Sequence, residues 1–247
     1  SGEVLAKEGT KSNRGLKAPS KKTQRAYRVR PALKLTKPQL PKPRPVAEIS
    51  RKRFKVTLGN MDRTPSGFLL TRSSKMRAVE RSGTYSSAKL RVRYKAPSKK
   101  TSYLGSGGYK RQIGLKLLAS SGCNLLYLMW QIEPTEKFVV LSKINPGMTR
   151  HAQCGNENYT NIATLSVPTA LTLTTHKTRR LQGDLSFTRD GIKLHIFVDE
   201  KFFRTVPIPR SLLPPAGPVG VRSDNGQFIF RYYRTQVIQG SSTRPGR

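Results

Sequence analysis

The stretch "IKLHIFVD" (Ile192–Asp199) decides the fold class. Ile192, Leu194, Ile196 and Val198 alternate with Lys193, His195, Phe197 and Asp199. A repeat of two puts the aliphatic set on one face of an extended chain and the other set on the opposite face. A helix would scatter them. Asp190-Gly191 stands just before the stretch and Asp199-Glu200 closes it, and such pairs favour tight reversals. The next stretch, "KFFRTVPI" (Lys201–Ile208), is therefore its hairpin partner. The same alternation returns in "GQFIFRYY" (Gly226–Tyr233), where Phe228, Phe230 and Tyr232 oppose Ile229, Arg231 and Tyr233.

Working outward, the pattern extends across most of the chain. "RFKVTL" (Arg53–Leu58), "AKLRVRY" (Ala88–Tyr94) and, less cleanly, "QIGLKLL" (Gln112–Leu118) alternate polar with apolar. "NLLYLMWQI" (Asn124–Ile132) and "KFVVLSKI" (Lys137–Ile144) are more continuously apolar and read as inner strands. "ATLSVPTALTLTT" (Ala163–Thr175) is rich in β-formers. Asn225-Gly226 and the prolines at 214–215 add turn signals, and no window carries a helical stripe longer than about two turns. The prediction is an all-β fold: an antiparallel β-sandwich of jelly-roll type over residues 51–236. Before it, residues 1–50 read as a disordered basic arm containing prolines, and after it residues 237–247 as a short basic tail. In the arm, "KPQLPKPRPV" (Lys37–Val46) is expected to be a stiff polyproline spacer, unfit for a helix or a central strand.

The end of the sandwich resembles a known family. "DLSFTRDGIKLHIFVDEKFFRTVPIPRSLLPPAGPVGVRSDNGQFIFRYYRT" (Asp184–Thr235) is similar to the closing strands of concanavalin A-like, laminin G-like sandwiches. The resemblance rests on Val198-Asp199 ending a strand, Gly217 with Val219-Gly220, then Arg222-Ser223-Asp224-Asn225 and an aromatic last strand. It implies the fold, and for function a family of lectins, glycosidases and adhesion modules. The acids that hold calcium or sugar in that family have no counterpart identifiable in this sequence.

Charge points elsewhere. The chain of 247 residues carries 47 Lys+Arg against 13 Asp+Glu, a formal net charge of +34. Self-repulsion on that scale calls for a polyanion, and nucleic acid is the first candidate because each phosphate contact releases counterions. Residues 1–55 hold ten Lys and seven Arg against three Glu, and residues 51–116 hold 18 Lys+Arg against Asp62 and Glu80. The expected phosphate contacts are Lys17, Lys21, Lys22, Arg25, Arg28, Arg30, Lys34, Lys37, Lys42 and Arg44 in the arm. In the body they are Arg51, Lys52, Arg53, then Lys89, Arg91, Arg93 and Lys95, which period two puts on one strand face, then Lys99, Lys100, Lys110 and Arg111. Tyr85, Tyr94, Tyr103 and Tyr109 stand near these charges, as stacking platforms or as packing.

Enzyme chemistry finds little support. Glu133 and Glu136 are the close glutamates of the strand region, but Pro134 between them argues for a turn. No Gly-x-Ser-x-Gly elbow and no triad context appear, and the "GSGGYKR" loop (Gly105–Arg111) lacks the Gly-Lys-Ser/Thr ending of a phosphate-binding loop. His151 and Cys154 have a ligand-like spacing without a second close pair, so no metal and no cofactor are expected. Cys123 and Cys154 read as buried thiols in a reducing compartment rather than as a disulfide. No apolar run approaches a membrane span, and no signal-peptide pattern opens the chain.

A basic arm before a β-sandwich resembles the layout of icosahedral virus coat proteins. The resulting expectation is a structural protein that packages nucleic acid, RNA ahead of DNA, without sequence readout. It would form a shell from copies of itself and sit in virions and the host-cell interior, with the Ser-Gly start as a polyprotein product. A ribonucleoprotein component, ribosomal or other and intracellular, and a lectin-like module for acidic polysaccharide are the alternatives.

Overall fold

The computed structural model describes residues 42–81, 83–167 and 182–238. They fold as an antiparallel β-sandwich of jelly-roll type. Sheet A runs β13 (Lys201–Pro207), β12 (Lys193–Val198), β11 (Gln182–Asp190), β6 (Ser87–Pro97), β15 (Gly226–Ile238), β4 (Leu69–Thr71), β3 (Asp62–Arg63). Sheet B runs β10 (Tyr159–Ser166), β9 (Lys137–Lys143), β8 (Leu125–Glu133), β7 (Arg111–Leu117), β14 (Gly220–Asp224), β5 (Lys75–Glu80), β2 (Phe54–Leu58).

The core lies between the sheets. Leu194, Ile196 and Val198 face it, as do Phe228, Phe230 and Tyr232. From sheet B come Ile113 and Leu115 of β7, Leu128 and Trp130 of β8, and Phe138 and Val140 of β9. The alternation in the sequence therefore gives the right facing for β12 and β15. Ile192 departs from it: at 38% exposure it sits in the Gly191 turn, before the strand begins. The turn pairs do as expected at Asp199-Glu200, where both residues take positive φ between β12 and β13. At Asn225-Gly226 the chain instead passes from β14 in sheet B to β15 in sheet A, so this turn joins the two layers.

Residues 42–50, expected in the arm, hold a strand. β1 (Lys42–Glu48) pairs with the second half of β15, with a bulge between Pro45 and Ala47. Proline suits an edge, and among the described residues β1 has β15 as its one neighbour. Pro43 and Pro45, two apart, share one side of the strand, and the side away from β15 needs no donor. The expected spacer N-terminal to residue 42, the rest of the arm, the stretch 168–175 of the Thr-rich segment and residues 239–247 lie outside the described residues.

Cys123 and Cys154 form a disulfide, which corrects the thiol reading. Their Cα atoms stand 5.9 Å apart, a separation that a sequence gap of 31 residues does not reveal. With Cys154 bonded to sulfur, the His151–Cys154 spacing in the short helix α1 (His151–Cys154) is not a ligand pair. Among the described residues no helix is long and apolar enough to cross a membrane.

Candidate functional site

A groove of about 540 Å³ opens on the outer face of sheet A. Arg91 and Arg93 of β6, Gln182, Gly183 and Asp184 of β11, and Asp199 of the β12–β13 turn line it. Ile229 of β15 and Phe68, just before β4, supply apolar surface. The strand period explains the set. On β6, Leu90 and Val92 turn to the core, so Arg91 and Arg93 turn outward; on β15, Phe228 and Phe230 turn inward and leave Ile229 outside.

Asp184 organises the groove. Its carboxylate accepts Arg91 Nε at 2.7 Å and Nη2 at 2.8 Å, a bidentate clasp. Lys89 Nζ also reaches it, at 2.6 Å, and reaches Glu200 at 2.7 Å. Burial alone would push the Asp184 carboxyl up, but the Arg91 and Lys89 hydrogen bonds outweigh it and hold it below its ordinary value. The Asp199 carboxylate in turn accepts the backbone N–H of Asp184 at 2.8 Å. Arg91 is thus fixed with its side chain still 55% exposed. Beside it Arg93 is half-buried and has no ion pair among the described residues. Phe68 lies under the Arg231 guanidinium, 4.1 Å from ring centroid to Cζ, and Arg231 also donates to Glu48 at 3.1 Å. The groove can thus offer guanidinium donors, carboxylate acceptors and an apolar wall within one concavity.

Among the described residues, those read as phosphate contacts fall on separate elements. Lys17, Lys21, Lys22, Arg25, Arg28, Arg30, Lys34 and Lys37 lie outside the described residues. Lys42 and Arg44 fall in β1, and Arg44 is exposed. Arg51, Lys52 and Arg53 make a 3₁₀ turn in which Arg51 donates to the carbonyls of Met61 and Phe54. Lys89 is buried at 2% exposure, so it holds Asp184 rather than facing a ligand. Lys95 is exposed on β6, and Lys99 and Lys100 are exposed in the loop from β6 to β7. Lys110 donates to the Ser106 carbonyl at 2.9 Å, and Arg111 pairs with Glu133. Tyr94 packs on Phe228, and Tyr85 lies against the core under Arg234. Tyr103 and Tyr109 are exposed and meet edge to face at 5.3 Å.

Sequence reasoning missed a second polar cluster, on the outer face of sheet B. Arg222 and Asp224 of β14 are 1% and 0% exposed there. Asp224 accepts from Arg222 Nε at 2.8 Å, Arg77 Nη2 at 2.6 Å and Gln112 at 2.8 Å. Burial pushes its carboxyl up, yet Arg222 and Arg77 together hold it below its ordinary value. The signal was present: in "GVRSD" (Gly220–Asp224) period two puts Arg222 and Asp224 on one face.

No protein-family model matches the sequence, and no match was found among curated proteins. Solved structures do share the architecture. The carbohydrate-binding module CBM66 from Bacillus subtilis superposes with a TM-score of 0.51 at 12% identity, over 74% of this chain and 93% of that one. The catalytic domain of an endo-1,3-β-glucanase (laminarinase) from Thermotoga petrophila gives 0.46 at 10% identity, over 79% and 98%. The Caenorhabditis elegans galectin LEC-6 gives 0.38 at 12%, over 75% and 97%. At such identities the first likeness shows a common fold, and the two weaker ones carry no argument. That common fold agrees with the all-β sandwich that the closing strands imply.

These findings correct the functional expectation. The fold is one shared with a carbohydrate-binding module, which supports the glycan-binding alternative over the packaging of nucleic acid. Lys89 and Arg91, read as phosphate contacts, are instead bound to Asp184 of the neighbouring strand. Nucleic acid as the partner, packed inside a shell of copies, goes with that reading.

Proposed function

We propose that this domain is a glycan-binding module for acidic polysaccharide, with the sheet A groove as its site. The observation that carries the reading is Arg93, unpaired among the described residues, beside an Arg91 that Asp184 holds in place, with Ile229 and Phe68 alongside. A uronate carboxylate or sulfate ester suits the guanidinium fork, the ring hydroxyls suit Gln182 and Asp199, and the apolar sugar face suits Phe68. The fold shared with a carbohydrate-binding module and the formal charge of +34 support it. The disulfide fits oxidising surroundings. Binding is favoured over hydrolysis. Glu133 is paired with Arg111, and Glu136 accepts the Trp130 indole N–H at 3.0 Å, so neither close glutamate stands free as acid or nucleophile.

Calorimetric titration with uronate-containing and neutral oligosaccharides of equal length tests this. The acidic series should bind, with affinity falling as salt rises, and Arg93→Ala should weaken it about tenfold, the size of one charge-assisted contact. Equal binding of neutral sugars, or an Arg93→Ala protein that binds as well as the parent, overturns the proposal.

A further inference from the structure

The outer face of sheet B is roofed where that of sheet A is open. The β6–β7 loop crosses it: Asn225 holds that loop through the carbonyls of Ser102 and Lys110, and Ser106 Oγ stands 3.5 Å from Arg222 Nη2. A Cβ at Gly105 would collide with Asn156, so the loop touches the segment after α1. Beneath this roof Arg222 lies opposite Gly114 in the ladder, and Lys116 lies opposite Gly220 and Tyr127. Diagonal neighbours in a sheet are about 7 to 8 Å apart. Gly114 carries no side chain, and the Arg222 guanidinium stacks on Tyr127, 4.6 Å from the ring centroid.

The charges under the roof do not balance. Arg77, Arg222 and Lys116 converge there, and Asp224 is the one acid bonded to them among the described residues. Lys143 and Lys110, both in the electrostatic field of Arg222, add positive charge, while Glu157, near Lys143, is exposed. Asp224 is already spent on Arg77, Arg222 and Gln112. Two groups are left over. Arg222 Nη1 is buried with no hydrogen-bond partner. Lys116, at 5% exposure, has neither an ion pair nor a hydrogen bond among the described residues. A buried guanidinium N–H and a buried ammonium without acceptors are each costly, and both ask for the same missing species.

We infer that this recess binds a compact oxyanion, of sulfate or phosphate size, between Arg222 Nη1 and the Lys116 ammonium. Lys116 is almost fully buried, so the species proposed there is small: an ion or a projecting ester group. At the tip of the loop there is open space, since a Cβ at Gly107 would meet nothing within 4 Å. Burial and the nearby Arg77 and Arg222 push the Lys116 ammonium down to about 7, which makes its titration a reporter of occupancy. The site is on the other sheet from the groove and does not rest on the glycan reading.

The test uses the full chain with ¹³C-labelled lysine, and follows the Lys116 side-chain resonance against pH in sodium sulfate and in chloride of equal ionic strength. A bound oxyanion favours the charged ammonium, so sulfate should raise the Lys116 midpoint by one unit or more, a tenfold or greater linkage. In parallel, sulfate should raise the melting temperature of the parent more than that of Lys116→Met. Its general salting effect acts on both and cancels in the difference. A midpoint that moves with inorganic sulfate identifies a free ion as sufficient. One that moves with a sulfated oligosaccharide alone identifies the ester as the carrier, with the oxyanion site intact. An identical midpoint in sulfate, phosphate, sulfated oligosaccharide and chloride overturns the inference, and so does an equal gain in melting temperature for Lys116→Met.

Discussion

The two sheets treat charge on their outer faces in opposite ways. On sheet A two cations of the central strand are matched: Asp184 and Glu200 take Lys89, and Asp184 also takes Arg91, whose side chain stays half in water. On sheet B the cations are drawn under loops and outnumber the acids bonded to them. Arg77 and Arg222 share Asp224, Lys116 has no acid, and Lys143 settles for the Gly155 carbonyl at 2.6 Å and the Tyr159 ring at 5.1 Å. The same residue types therefore do different physical work. A matched, wet cation adds little to stability and leaves its remaining donors for a ligand. An unmatched, dry one lowers stability and creates demand for an anion.

Removing the central acid from each face gives the largest contrast. Asp224→Ala would leave Arg77 and Arg222 without a counter-charge in a dry setting, and breaking such a pair costs about 3–5 kcal/mol. Asp184→Ala leaves Lys89 with Glu200 and Arg91 with water, so its cost should be the smaller of the two. Urea denaturation of the two variants measures both. If Asp184→Ala is the more damaging, the matched face is the structural one and the comparison is inverted.

The pH dependence of stability sharpens the same point at smaller amplitude. The folded value of Lys116, about 7, lies below its unfolded value near 10.4. Between these limits the unfolded chain keeps a proton that the folded chain has lost, so stability contributed through Lys116 rises with pH. The slope is at most about 1.4 kcal/mol per unit. Lys116→Met should flatten this rise, and below pH 7 it should melt higher than the parent, since the charge it removes is one the fold disfavours. A parent and variant that run parallel from pH 6 to 10 would show Lys116 already satisfied. Asp184 and Asp224, both held low, act in the opposite window: what they contribute is lost as acid protonates them.

How much of this the sequence disclosed follows from the range of each interaction. Facing is local, so period two located Leu194, Ile196 and Phe230 in the core and Arg91 and Arg93 outside it. Pairing is not local. Asp184 is 93 positions from Arg91, and nothing in "KLRVRYK" shows that an acid of another strand will take two of its four charges. The stripe reads as a phosphate face because the acid that takes Lys89 and Arg91 is set by sheet order. The same limit hid the disulfide, which depends on where the loop before β8 meets α1. Short strands failed for another reason: β3 is two residues long, and "KMRAVE" in β5 mixes charges of both signs with its three apolar positions. β1 was masked by its prolines, which bar a central strand but not an edge. On sheet B the roof altered the meaning of polarity, since Lys116 and Arg222 sit on an outward face that loops have made dry.

The smallest expected effect tests which face the glycan uses. Tyr103 and Tyr109 are 61% and 64% exposed, and an exposed aromatic pair is itself a surface on which a sugar ring could stack. They belong to the loop that roofs sheet B, whereas the groove with Arg93 is on sheet A. Each tyrosine covers little beyond the other, so Tyr103→Ser and Tyr109→Ser should change stability by less than about 0.5 kcal/mol, as for most surface replacements. If the groove is the site, both variants should also bind acidic oligosaccharide within about twofold of the parent while Arg93→Ala loses about tenfold. The reverse ranking, with the tyrosines decisive and Arg93 silent, would move the glycan to the roof of sheet B. It would also seat the sugar directly over the recess inferred to hold an oxyanion, where Lys116→Met should then weaken sulfated ligands and spare neutral ones.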